Sequence, residues 1–165
     1  MIISRKNKFI YVHCRKTAGS TLKCWLNPKL GKYDIQTAAW HHTLKNGGSI
    51  NRRFVYDLMS LSVILNIRSY SKIVKGVFLG KDKEKIINEV HKLRYGQFQK
   101  PGHESASEIR KYFPNEWSDY FKFCFVRNPF ERAVSDYLWR KSKTGSDATF
   151  NTFLSLVKSK LSGAE

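Results

Sequence analysis

Two short apolar runs, far apart along the chain, dominate its hydrophobic pattern. They cover residues 9–12 and 121–126. Strongly apolar runs of this length, of which the second is interrupted only by Lys122, predict buried β-strands. Each run is followed by a cationic turn and then by a segment with helical spacing, the first of which is residues 21–26. Two such strand–turn–helix units predict an α/β fold with a parallel sheet.

Apolar residues recur at helical spacing in the later segments. Ser105 with Glu108 three positions on forms a capping box, and Asn128 with Pro129 suits the N-cap and first position of a helix. Residues 29–53 lack a clear period and predict loops, and a polar break falls at residues 144–147. We predict helices over residues 54–75, 81–95, 103–113, 130–141 and 150–157.

Composition and charge narrow the class of protein. The chain has 165 residues, of which 41% are hydrophobic and 14% aromatic, so we expect one globular domain and not a disordered basic tail. The net charge is +17 and the pI is near 10.0. This balance predicts an anionic partner, which is nucleic acid, a polyanionic glycan, an anionic membrane surface or a nucleotide. Charge alone does not choose among them.

Cysteine content and hydropathy indicate which metal sites, disulfides and membrane segments the chain could contain. The chain has three cysteines and no CxxC pair, so neither a zinc site nor a disulfide framework is predicted, and no other metal site is expected. We expect Cys14 and Cys124 in buried strands. The most apolar later stretch is interrupted by Asp57 and falls short of the roughly 18 residues that a spanning helix needs. We therefore expect a cytoplasmic protein that is either free or associated with a membrane. Whether a longer parent protein carries an upstream membrane anchor stays open.

The turn after the first strand has the chemistry of an anion-binding loop. Backbone N–H groups in a tight loop and at a helix N-terminus point toward an anion, and a lysine supplies the counter-charge. The candidate residues are Arg15, Lys16, Thr17, Ala18, Gly19, Ser20 and Thr21.

The second strand end carries another candidate pair. Arg127 follows the strand, and Ser135 lies about two turns into the next helix. An arginine fork and a hydroxyl suit a second phosphate. The ligand then needs two separated anionic groups, whereas ATP has one polyphosphate tail. The first loop also lacks the spacing of the nucleoside-triphosphate loop.

These motifs resemble those of the carbohydrate sulfotransferases. Residues 15–21 resemble the family's 5′-phosphosulfate loop, and residues 123–135 resemble its 3′-phosphate element. The resemblance covers residues 8–27 and 103–140. It implies a single sulfotransferase domain over residues 1–165, with a three-layer, P-loop-NTPase-like fold and a central parallel sheet flanked by helices. It also implies 3′-phosphoadenosine 5′-phosphosulfate (PAPS) as the donor.

The resemblance assigns roles residue by residue. Lys16 would contact the bridging oxygen of the sulfuryl group, residues 17–21 would cradle the 5′-phosphate, and Arg127 with Ser135 would bind the 3′-phosphate. His103 matches the position of the base that takes the acceptor's proton, with Glu104 as the fallback. The alternative for His103 is a loop histidine that caps the next helix.

Two further residues at these motifs carry no fixed role. Arg132 would assist phosphate binding or form a structural ion pair, and the two interpretations stay open. His13 is expected to be packed and hydrogen-bonded, not catalytic.

The resemblance predicts direct, in-line sulfuryl transfer from PAPS to a hydroxyl of a carbohydrate, an anionic glycan included, without a metal. Residues 28–102 have no counterpart in the resemblance and are expected to hold much of the acceptor site. The chain ends about where further elements are expected, so we anticipate a small or incomplete domain.

Two alternative functions account for part of the sequence. An ATP-dependent phosphotransferase would need a metal-binding hydroxyl and aspartate pair that we do not find. A basic nucleic-acid-binding domain explains the charge and the aromatics but not the two strand-end motifs. We therefore expect no nucleic-acid partner.

Overall fold

A computed structural model of the chain describes residues 1–80, 82–100, 102–145 and 147–162. Its contacts divide the chain into two compact units, Met1–Phe125 and Val126–Glu165, and each is described by itself. The prediction of a single sulfotransferase domain stays a prediction.

The first unit contains the strands and most of the helices. Its strands are β1 (Ile2–Ser4), β2 (Phe9–Tyr11), β3 (Ile35–Gln36) and β4 (Phe121–Phe123). Its helices are α1 (Gly19–Leu26), which continues into a 3-10 turn (Asn27–Lys29), α2 (Trp40–Lys45), α3 (Arg53–Leu58), α4 (Leu61–Ile64), α5 (Ile67–Phe78), α6 (Lys83–Arg94), α7 (Ala106–Tyr112) and α8 (Pro114–Asp119). The second unit contains α9 (Pro129–Thr144) and α10 (Phe150–Ser162).

The sheet is mixed. Its order is β3-β1-β2-β4, with β2 parallel to β4 and β1 antiparallel to both β2 and β3. The α/β class and the parallel pairing of the two predicted strands are confirmed, but the prediction of a central parallel sheet is wrong. Only four residues link β1 to β2. A link this short permits an antiparallel hairpin but not the crossover connection that parallel strands require. Lys8 in this turn has a φ of 53°.

Both faces of the sheet are packed. Ile3 and Ile10 face one core cluster, which also contains Ile109 of α7, while Ile2 and Tyr11 face a second cluster with Leu26 of α1. This alternation follows from the two-residue period of strands. Helices therefore cover the sheet on both sides, as an α/β layer architecture requires.

The strand β4 is more exposed than predicted. Phe121 is largely exposed, and Cys124, just beyond the strand, is exposed as well. The reason is the strand order, because β4 pairs only with β2 among the described strands and so forms an edge. The prediction that Cys124 lies in a buried strand is wrong, and Cys14 is only half-buried.

The predicted single helix over residues 54–75 is divided into α3, α4 and α5. Ser60 has an extended backbone, and its hydroxyl donates to the Asp57 carbonyl at 2.7 Å. Asn66 then caps α5 by accepting from the Ser69 N–H at 3.2 Å. These short polar side chains compete with the helical backbone for hydrogen bonds and break the helix twice.

Each of the remaining helix predictions corresponds to one helix of the structure, although most of the ends differ by one to five residues. The Ser105–Glu108 capping box is present, and Asn128 caps α9 with Pro129 at its first position. Pro114 starts α8 and does not simply close the preceding helix, and the predicted loop of residues 29–53 also contains β3 and α2. The predicted helix start at Lys81 and Ser146 in the polar break lie outside the described residues.

Candidate active site

The loop between β2 and α1 has an unusual backbone. Lys16 and Ala18 both adopt positive φ, at 62° and 57°, although neither is glycine. This conformation costs free energy in a residue with a Cβ and persists only where the surroundings impose it. The Thr17 hydroxyl donates to the Cys14 carbonyl at 2.8 Å and closes the loop. Alternating left-handed residues of this kind turn successive N–H groups toward one point, which suits an anion.

The helix α1 begins where this loop ends. Its N-cap is Ala18, so within the described structure no side chain caps the first turn, and the first turn contains no acidic residue. Gly19, Ser20 and Thr21 form that turn, whose N–H groups have no acceptor within the helix. The positive end of the helix dipole adds to their attraction for an anion. The structure therefore brings the seven predicted loop residues together in one segment whose geometry suits an anion, and binding by this segment stays a prediction.

His13 packs directly against the start of α1. A Cβ built on Gly19 would overlap the His13 ring, so only glycine leaves room for the imidazole there. Nδ1 of His13 lies 2.8 Å from the Gly102 carbonyl, which can only accept, so Nδ1 carries the proton and donates. Burial, assisted by the charge of Lys23, lowers the pKa of His13 to about 4. His13 is packed and hydrogen-bonded, as predicted.

His103 lies next to His13. Their ring centroids are 4.4 Å apart, and the His103 side chain is exposed at the surface. Burial of part of the ring lowers the pKa of His103, and the charges of Lys23 and Arg15 lower it further. A neutral, accessible imidazole can accept a proton at neutral pH. Through His13, the structure brings the predicted base to the end of the anion-binding loop.

Glu104 points inward. It is 1% exposed, and its carboxylate accepts from the Gly102 N–H at 2.8 Å and from the Met1 nitrogen at 2.6 Å. Burial acts to raise the pKa of Glu104, but the charge of the Met1 amine and the hydrogen bonds from Met1, Gly102 and Thr37 together lower the pKa to about 2. Glu104 holds the turn that carries His103, and we do not propose it as the base.

Lys23 is a site residue that the sequence analysis missed. It is fully buried on α1, and its ammonium donates to the Thr37 carbonyl at 2.6 Å and to the Gly102 carbonyl at 3.5 Å. Burial lowers the pKa of Lys23 to about 8. Lys23 shares the buried face of α1 with Gly19 and Leu26, and this helical spacing is the signal that would have found it.

The second predicted element lies in the other unit. Arg127 precedes α9, and its Nε lies 3.2 Å from a carboxylate oxygen of Glu131. Ser135 is half-buried on α9. Arg132 is exposed and forms no ion pair with a described residue, and its assistance in phosphate binding stays a prediction. Because these residues belong to the second unit, their joint action with the loop stays a prediction.

The described residues form neither a metal-binding cluster nor a membrane-spanning helix. Within the described ranges, no three His, Cys, Asp or Glu side chains converge in a way that could hold a metal ion. Metal-free transfer nonetheless stays a prediction. None of the helices described between residues 1 and 162 has the length and apolar content to cross a bilayer.

The α/β fold presents, at the carboxyl end of a strand, a loop whose backbone geometry suits an anion, and two histidines with lowered pKa values lie beside it. Comparison with known families makes the class specific. The family described as "Sulfotransferase family" matches residues 1–163. The chain belongs to the sulfotransferase family, which confirms the family predicted from its motifs and indicates sulfotransfer as its activity. Comparisons with curated proteins and with solved structures found no match.

Proposed function

We propose that the protein transfers the sulfuryl group of PAPS to a hydroxyl of a carbohydrate by direct, in-line displacement. The observation that carries this proposal is the strained loop at Lys16 and Ala18, which ends against the His13–His103 pair. An anion-binding loop and a proton acceptor are the two parts that sulfuryl transfer to an alcohol requires.

Each part has a defined role in the reaction. The acceptor oxygen forms a bond to sulfur while the bond from sulfur to the bridging oxygen of PAPS breaks. The acceptor's proton passes to the imidazole of His103, and the negative charge left on the departing 5′-phosphate is stabilised by Lys16 and the N–H groups of residues 17–21. The reaction gives a sulfated acceptor and 3′-phosphoadenosine 5′-phosphate (PAP).

PAPS is the preferred donor because it has two separated anionic groups. Arg127 and Ser135 are proposed to bind the 3′-phosphate, with Arg132 assisting. ATP lacks a 3′-phosphate and would leave this second element without a ligand. The Arg127 guanidinium pairs with Glu131, and we propose that it exchanges this carboxylate for the 3′-phosphate when PAPS binds.

A groove along α7 and α8 supports a carbohydrate acceptor. It has a volume of about 540 Å³ and lies along α7, which begins three residues after His103. Its lining residues are Ala106, Ser107, Arg110, Lys111 and Trp117. An indole ring offers an apolar surface for a sugar ring, and two cations favour an anionic sugar. The net charge of +17 favours the same class of acceptor.

Ligand-dependent stabilisation tests donor binding. A ligand that binds only the folded state raises the melting temperature, so PAP should stabilise the protein and ADP and a short DNA duplex should not. R127A should abolish the effect of PAP. R68A, which removes an exposed arginine of α5, is the matched control and should retain it. Indifference to PAP at millimolar concentration would overturn the proposal, and stabilisation by ADP alone would favour a phosphotransferase.

Turnover tests the catalytic roles. PAP formation from PAPS, measured with a panel of neutral and anionic oligosaccharides, should fall roughly 10²-fold or more in K16A and in H103A. K85A and H42A remove an exposed lysine and an exposed histidine elsewhere and should leave the rate unchanged. Full activity in H103A with an unchanged melting temperature would remove His103 as the base.

A further inference from the structure

Large apolar side chains are unusually exposed around α4 and α5. The exposed fractions are 73% for Leu61, 74% for Leu65, 79% for Ile67, 85% for Phe78 and 72% for Leu79. Isolated exposed leucines are ordinary, but a concentration of side chains this exposed within one segment marks an interaction surface. We call these five residues, together with Arg68, Lys72 and Lys75, the α4–α5 surface.

The opposite side of the two helices attaches this surface to the first unit. Val63 of α4 and Ile73 of α5 are buried against Val90 of α6. On α5, Ile67 and Phe78 are eleven residues apart, which places them about 20° apart around the helix and about 16 Å apart along it. The two ends of α5 therefore carry apolar side chains on the same side of the helix, directed away from the core.

The charges beside this apolar stripe have one sign. Residues 58–80 contain no aspartate or glutamate. Arg68, Lys72 and Lys75 are exposed, and none of them forms an ion pair with a residue that the structure describes. By helical spacing these cations occupy an adjacent stripe of α5, next to the side of Ile67 and Phe78. An apolar stripe bordered by lysine and arginine is the pattern of a helix that lies in a membrane interface.

We propose that the α4–α5 surface binds the face of an anionic lipid bilayer. The axis of α5 would lie parallel to the membrane, with Ile67 and Phe78 inserted at the headgroup boundary and the three cations near lipid phosphates and carboxylates. A bilayer fits better than a protein partner because no acidic residue is present to orient one, and because the apolar side chains project at the two ends of α5. This inference does not depend on the sulfotransfer chemistry.

Vesicle binding tests the inference with the full chain. The protein should co-sediment with vesicles of phosphatidylcholine mixed with phosphatidylserine, and much less with phosphatidylcholine alone. K72Q/K75Q should weaken the binding about 30-fold, since a cation near an anionic membrane is worth about fivefold in affinity. K85Q/K92Q removes the same charge from exposed positions of α6 and should change the binding less than about twofold. F78S should weaken it about tenfold or more by removing an inserted aromatic ring.

Several results would overturn the inference. Equal losses in K72Q/K75Q and K85Q/K92Q would mean that net charge alone drives binding. Unchanged binding in F78S would mean that no side chain inserts at this surface. Absence of vesicle binding, with self-association in sedimentation that F78S abolishes, would assign the surface to a second copy of the chain. An unchanged melting temperature in each variant keeps misfolding apart from loss of binding, and L79S provides a second apolar variant if F78S does not fold.

Discussion

The contact between Gly19 and His13 leads to a strong prediction. In G19A the added methyl would lie 2.6 Å from Cε1 of His13 and closer still to Nε2 and Cδ2. Carbon atoms pack at about 3.5–4.0 Å, so the imidazole must shift by more than about 1 Å. Such a shift breaks the 2.8 Å hydrogen bond from Nδ1 to the Gly102 carbonyl. The substitution should therefore disturb the loop and the turn of His103 together.

The expected cost follows from these two effects. Overpacking in a closely packed site costs about 1–3 kcal/mol, and the lost hydrogen bond costs about 1 kcal/mol. Lys23 remains as a donor to the Gly102 carbonyl, which limits the penalty for that oxygen. We expect G19A to lower the free energy of unfolding by about 2–4 kcal/mol.

Urea unfolding followed by circular dichroism measures this cost, and a double-mutant cycle with H13A tests its cause. In the H13A background the ring is absent, so the same substitution should cost less than about 1 kcal/mol. A18G is the neighbouring control and should not destabilise, since glycine accepts the positive φ of residue 18 more easily than alanine. An equal cost of G19A with and without His13 would refute the reasoning.

Two other predictions concern buried ionisable groups. D57A should cost about 3–5 kcal/mol in urea unfolding, because the buried carboxylate accepts from Arg53 at 2.9 Å and from Tyr95 at 2.8 Å. E131A, which breaks the exposed pair between Arg127 and Glu131, should cost less than about 1 kcal/mol, and equal costs would contradict the ranking. Burial lowers the pKa of His91 from 6.5 to about 4, so below pH 6.5 the unfolded chain binds a proton that the folded chain does not. Because of this residue, the free energy of unfolding should fall by about 3 kcal/mol between pH 6.5 and pH 4. Urea unfolding over this pH range should show a smaller fall in H91N. The same pH dependence in both proteins would mean that His91 does not cause it.

Strand prediction succeeded where the signal was local. The runs that form β2 and β4 are strongly apolar, interrupted only by Lys122, and they end in polar turns, so their type and their parallel pairing follow from the sequence. The strand β1 has three residues and β3 has two, too few to show a period. They exist because Ile2 pairs with Gln36 and Ile3 with Ile35, and this long-range pairing leaves no local pattern.

For the candidate active site as well, the sequence predicted the residues with a local signal and not those placed by tertiary contacts. The loop of residues 15–21 was predicted because its residues are consecutive and the resemblance is local. The role of Gly102 depends on its approach to His13, which only the tertiary structure specifies. Lys23 was within reach of the sequence, because its spacing from Gly19 and Leu26 places it on one helical face. The inward direction of Glu104 follows from the turn conformation, which no motif predicted.

The parallel pairing of β2 with β4 also constrains how the protein is made. During synthesis β1 and β2 can form their hairpin early, but the other edge of β2 waits for residues 121–123. The final bond of this pairing joins the Val12 N–H to the Phe123 carbonyl at 2.9 Å, directly before His13. Pairing between segments so distant in sequence is slow, and an open strand edge invites aggregation meanwhile. The nascent chain therefore leaves one edge of β2 unpaired until residues 121–123 have been synthesised, and the loop after β2 gains its full support only then.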